Sequence, residues 1–108
     1  MKKDRLENMV RGWLVGNFVP AVYKTTDLEF AVQHFSEGSY EEQHHHKIAT
    51  EITVIVSGKA EMNGVTYMAG DIIVVEPNEA TDFRAITETT TAVLKIPGAL
   101  NDKYFGSK

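Results

Sequence analysis

Three consecutive histidines, His44, His45 and His46, are followed five residues later by Glu51. On an extended chain successive side chains alternate between faces, so His44 and His46 project to one side and His45 to the other. If the chain turns between His46 and Glu51, the carboxylate returns to the same point. Two imidazoles and one carboxylate then surround one ion and leave coordination positions open. The chain has no cysteine, which removes thiolate metal sites, iron–sulfur clusters, disulfides and thiol nucleophiles together, so any metal must take nitrogen and oxygen ligands. The bland competitor is a solvated histidine loop, internal and too short to be an expression tag. Phosphate-binding glycine loops, a Gly-x-Ser-x-Gly elbow and a His-Glu-x-x-His helix are all absent from the sequence.

The elements that must position these residues are strands. From Leu28 onward, short β-rich runs are separated by turn residues, which predicts a sandwich or barrel. The runs are 29–35, 51–56, 59–62, 65–68, 72–76, 81–85 and 90–96. Asn63-Gly64 between two of them is the dipeptide favoured by a two-residue type I′ hairpin. Gly58, Gly70-Asp71 and Pro77-Asn78 mark further turns. In the run from Glu51, the face through Ile52, Val54 and Val56 is wholly apolar, while the face through Glu51, Thr53 and Ser57 is partly polar. The mixed face is the candidate cavity lining. The apolar face needs cover from the other sheet, from the segment 9–22 or from a second subunit. The first eight residues are polar and suit a frayed turn or short helix.

The spacing Gly38, five residues, His44, one, His46, four, Glu51, six, Gly58 resembles the first motif of the cupin superfamily at all five fixed positions. The resemblance implies an all-β cupin jelly roll, a double-stranded β-helix barrel, with His44, His46 and Glu51 as metal ligands and Gly38 and Gly58 serving turns. The second cupin motif (Gly, five, Pro, one, Gly, two, His, three, Asn) is matched only in part. Gly70 and Pro77 are present with six residues between them, Glu79 replaces the glycine and Ile86 the asparagine. Counted from Pro77, Asp82 stands where the fourth ligand, a histidine, would be. Asp82 is therefore expected either as a fourth ligand, favouring harder ions such as Mn²⁺ or Fe²⁺ over Cu²⁺, or as a group that orients a ligand histidine or pairs with Arg84. The two motifs cover Gly38 to about Ile86, roughly half the chain.

Thr53, Arg84 and His34 are further candidates for the cavity, Arg84 as an anion-binding group with a rim ion pair as its competitor. Gln33 is a weaker candidate beside His34. At 108 residues the expectation is a single cupin domain, 1–108, with its core at about 28–97 and a short N-terminal extension. One divalent ion per chain is expected, Mn, Fe, Zn or Ni. The expected function is a metal-dependent enzyme on a small oxygenated metabolite, sugar-like or a hydroxy or keto acid, of isomerase, epimerase or dioxygenase type. The competing class is a non-catalytic ligand-binding or sensor cupin with a structural metal. The net charge of −4, with no basic stripe, argues against nucleic acid as a partner. No signal-type apolar run and no stretch of about eighteen apolar residues is present, so a cytoplasmic protein is expected. The apolar strand faces predict a homodimer.

Overall fold

The computed structural model describes residues 1–106. A single 3₁₀ turn, Leu6–Asn8, precedes ten strands: β1 (Trp13–Val15), β2 (Glu29–Phe35), β3 (Tyr40–His45), β4 (Thr50–Ser57), β5 (Lys59–Met62), β6 (Val65–Met68), β7 (Ile72–Val75), β8 (Ala80–Ala85), β9 (Thr89–Ile96) and β10 (Tyr104–Phe105). The seven runs expected from the sequence are all present as β2 and β4 to β9, with ends moved by at most one residue. The strands β1, β3 and β10 were not foreseen.

Two five-stranded sheets face one another, ordered β1-β2-β9-β4-β7 and β10-β3-β8-β5-β6. All pairings between these strands are antiparallel. From β2 onward the chain passes back and forth between the sheets, pausing only for the β5–β6 hairpin. That hairpin turns on Asn63-Gly64, whose φ angles of 50° and 79° are the left-handed pair a type I′ turn requires.

Period-two alternation decides what enters the interior. Across the first sheet the registers align Glu29, Lys95, Glu51 and Val75 in one row; Trp13, Ala31, Val93, Thr53 and Ile73 in the next; and Gln33, Thr91 and Ile55 in a third. From the second sheet Ala60, Met62, Phe83 and Ala85 close against Ile55 to form the core, with Phe35, Tyr67 and Ile73 packed around it. The Phe35 and Phe83 rings lie 4.7 Å apart, and burial of a side chain such as Ile55 contributes about 2 kcal/mol. Apolar packing thus fills one end of the barrel, and the polar rows are left for the other.

The two glycines of the first motif serve different needs. Both lie in the left-handed region, at φ 85° for Gly38 and 87° for Gly58. A Cβ at Gly38 would meet nothing within 4 Å, whereas one at Gly58 would lie 2.1 Å from the Glu88 carbonyl oxygen. Gly58 is therefore required by contact as well as by conformation.

The opposite face of the first sheet carries Ile52, Val54 and Val56 of β4 beside Ile72 and Val74 of β7. Neither the N-terminal segment nor the second sheet covers its edge, and Ile72 and Val74 are 65% and 53% exposed.

Candidate metal centre

β3 lies in one sheet and β4 in the other, so ligands drawn from their facing ends bridge the barrel. His44 is near the end of β3, His46 is just beyond it, and Glu51 is the second residue of β4. One ligand atom from each of the three lies within 4.8 Å of the others. The imidazoles of His44 and His46 are 5.4 Å apart, edge to face. His45 is directed elsewhere, as strand parity predicts: it stacks on Tyr104 of β10 at 5.5 Å, and its Nδ1 meets the Gly106 carbonyl at 2.9 Å.

Hydrogen bonds at the far side of each ring fix which nitrogen faces the site. A carbonyl oxygen can only accept, so His44 Nδ1, 3.2 Å from the Glu42 carbonyl, and His46 Nδ1, 2.5 Å from the Asp102 carbonyl, both carry hydrogen. In the neutral rings each Nε2 then presents a lone pair. His46 Nε2 is buried without a hydrogen-bond partner and lies 3.3 Å from Glu51 Oε1. Two acceptors at that distance repel unless a cation lies between them, and a divalent ion or a proton on His46 meets that need. The donor set therefore fits a metal.

The electrostatics favour the metal-ready forms. Burial pushes the His44 ring down from 6.5, and the Lys103 and His46 charges add to this against the Glu42 carbonyl and Glu51. Burial pushes the Glu51 carboxyl up, but the adjoining His46 side chain and the charges of Lys95 and His44 outweigh it, and the carboxyl lies below its ordinary 4.5. Thr53 adds a hydroxyl 3.4 Å from Glu51 Oε2.

The turn that returns Glu51 to the histidines is held by Asp102, 5% exposed. Its carboxylate accepts from the backbone N–H groups of Lys47 (3.0 Å), Ile48 (3.0 Å) and Ala49 (3.0 Å). One residue thus closes the 47–49 turn with its side chain and orients His46 with its carbonyl, a role of the kind that outer-shell groups play at metal sites.

Asp82 is not brought to this set. On β8 the buried residues are Thr81, Phe83 and Ala85, so the core sets the parity of the strand, and Asp82 borders the cavity without joining the ligand group. Its carboxylate accepts from the Asn63 backbone N–H at 2.7 Å and meets the Tyr40 hydroxyl at 3.5 Å. Counting the second motif from Gly70 rather than Pro77 accounts for this: the glycine position becomes Asn78, which adopts φ 72°, and the fourth-ligand position becomes Thr81, buried and paired with His44. The one extra residue before Pro77 therefore does not shift the ligand position. Arg84 also lies outside, exposed and stacked over the Tyr40 ring at 4.7 Å rather than paired with Asp82. His34 is exposed and bonded to Thr90 and Glu88 at 2.9 and 3.0 Å, whereas its neighbour Gln33 does line the cavity.

The cavity beside the ligands has a volume of about 130 Å³ and includes Thr53, Thr81, Thr91, Trp13, Lys95 and Lys103. Lys95, Thr91 and Asp102 carried no sequence signal of their own. Anchoring the parity of β9 on Val93 would have placed Thr91 and Lys95 on the interior face. Asp102 lies 56 residues from His46, beyond any local pattern.

No protein-family model matches the sequence, and no curated protein matches it. Among solved structures the chain is similar to an uncharacterized conserved protein with a double-stranded β-helix domain from Klebsiella pneumoniae, at 24% identity and TM-score 0.70 over 81% of this chain and 76% of that one. It is similar to an RmlC-like cupin from Shewanella frigidimarina, at 23% identity and TM-score 0.64 over 72% of each. It is also similar to a predicted oxalate decarboxylase from Thermotoga maritima, at 26% identity and TM-score 0.58 over 63% of this chain and 64% of that one. With its two antiparallel sheets, the chain has the double-stranded β-helix fold of these structures, the RmlC-like cupin among them.

Proposed function

We propose that the chain binds one divalent ion through His44, His46 and Glu51 and acts as a metal-dependent enzyme on a small oxygenated metabolite, by isomerase, epimerase or dioxygenase chemistry. The observation that carries this reading is the buried, unpartnered Nε2 of His46 set 3.3 Å from the Glu51 carboxylate, a pair of acceptors that calls for a cation. A bound ion would supply Lewis-acid polarisation of a substrate oxygen or, as iron, oxygen activation. Two imidazoles and one carboxylate suit Mn²⁺, Fe²⁺, Zn²⁺ or Ni²⁺. On this reading Asp82 stays bonded to Asn63, and the set carries no bias towards the harder ions that a second carboxylate would favour. The similarity to a predicted oxalate decarboxylase supports enzymatic use of such a site.

A non-catalytic ligand-binding role is favoured by a different observation. The other carboxylates bordering the cavity are engaged, Glu41 with Arg11 at 3.4 Å and Asp82 with Asn63, so no free carboxylate stands ready as a base. A homodimer through the apolar β4–β7 face accompanies either reading. No helix among the described residues is long and apolar enough to cross a membrane. Calorimetric titration with Mn²⁺, Zn²⁺ and Ni²⁺ tests the site: one ion per chain in wild type and in His45→Ala, and none in His44→Ala or His46→Ala. Equal binding in all four proteins would refute the assignment.

A further inference from the structure

The interior row Glu29, Lys95, Glu51 places a lysine between two carboxylates on adjacent strands. Among the described residues Lys95 nevertheless makes no ion pair within 4.0 Å. Its Nζ sits 4.8 Å over the Trp13 ring, and both residues line the cavity beside the metal ligands. An ammonium steadied by an aromatic face, close enough for its charge to act on Glu51 yet not neutralised by it, is available to a second anion.

A second observation lies deeper in the same cavity. Thr91 is 1% exposed, and its hydroxyl has no hydrogen-bond partner. It shares the interior face of β9 with Val93 and Lys95. A buried hydroxyl left unpaired costs about 1–3 kcal/mol, which a ligand's polar group would recover. Between Lys95 and Thr91 the wall is mixed, formed by Val93 and Trp13 with Thr53 in the same row, and by Met62 and Phe83 of the other sheet. At about 130 Å³ the space is close to that of a cavity that takes a benzene-sized molecule, about six non-hydrogen atoms.

We propose that the cavity takes a small 2-hydroxy or 2-oxo monocarboxylic acid of three or four carbons, its carboxylate held by Lys95 beside the His44, His46 and Glu51 set and a distal hydroxyl meeting Thr91. This rests on the metal reading above and narrows its substrate class from sugar-like compounds to acids. Lys95 holds the charge, Thr91 reads the far end, and the small volume between them limits the length.

The test uses the metal-loaded protein and three probes: glycerate, lactate, which lacks the distal hydroxyl, and glyceraldehyde, which lacks the carboxylate. Binding is followed by calorimetry and metal content is measured on each sample. Glycerate should bind most tightly and glyceraldehyde most weakly. Lys95→Met should weaken both acids about 10- to 100-fold, the loss of a charge-assisted contact, and Thr91→Val should weaken glycerate about 3- to 10-fold while leaving lactate unchanged. Lys95→Gln, polar but uncharged, repeats the first comparison if Lys95→Met does not fold. Full metal content with equal binding of glyceraldehyde and glycerate, or with no loss in the Lys95 variants, overturns this assignment alone. Samples that hold no metal overturn the metal reading and this assignment with it.

Discussion

Replacing Asp102 with alanine should unfold the turn that joins the two halves of the metal site. The carboxylate holds three backbone N–H groups, those of Lys47, Ile48 and Ala49. Lys47 and Ile48 are exposed and can turn to water, at a net loss of about 0.5 kcal/mol each, whereas Ala49 is 1% exposed and its abandoned donor costs about 2 kcal/mol. The expected destabilisation is about 3 kcal/mol, which for a chain of this size lowers the melting temperature by about 12 °C. The loss should depend on pH. Burial raises the Asp102 carboxyl, but the N–H groups of Ala49, Lys47 and Ile48, with the His46 charge, outweigh it and hold the carboxyl below 3.8. A folded-state value below the unfolded one means that the stabilisation is present above the unfolded value and lost as pH falls through the folded one. Thermal unfolding of wild type and Asp102→Ala from pH 7 down to 3 checks this. The gap should be constant down to about pH 5 and close under acid, with Asp102→Asn falling between the two. A variant melting within about 2 °C of wild type at pH 7 would refute the account of the turn.

Gly58→Ala should cost several times more than Gly38→Ala, because its Cβ meets the Glu88 carbonyl at 2.1 Å while Gly38 faces open space. The latter should lose only about 1 kcal/mol for its left-handed conformation, as chemical denaturation will show. Asp82→Ala should leave metal affinity unchanged within about twofold and cost about 1 kcal/mol of stability through the lost Asn63 contact; a loss of metal affinity of tenfold or more in titration would return Asp82 to the site. Light scattering should give a dimer, and replacing Ile72 and Val74 with lysine should yield a 12.0 kDa monomer; a wild-type monomer would leave that face without the partner assigned to it.

The parts legible in the sequence were those whose signal is local. The β5–β6 hairpin was readable because Asn63-Gly64 states its turn chemistry directly, and β2, β5 and β6 were placed to the residue by β-rich runs between turn residues. β3 carries no strand signal because it is Tyr-Glu-Glu-Gln-His-His, polar on both faces, and the C-terminal strand β10 pairs along its edge. His44, His46 and Glu51 were found because parity and a short turn bring them together within eight positions of sequence. Asp82, which counting from Pro77 sets at the fourth-ligand position, is bonded to Asn63 because the packing of Phe83 and Ala85 against the core sets the parity of β8. Lys95 and Asp102 reach the site through strand register and a long return of the chain, which spacing alone does not encode.

The central claim is that the three side chains hold one divalent ion, and the most direct measurement is anomalous diffraction from crystals soaked in Mn²⁺ or Zn²⁺. The account predicts a single strong peak per chain at about 2.0–2.2 Å from His44 Nε2, His46 Nε2 and a Glu51 carboxylate oxygen, with Asp82 still on Asn63. A fully soaked crystal with no peak there, or with its peak at Asp82, would contradict it.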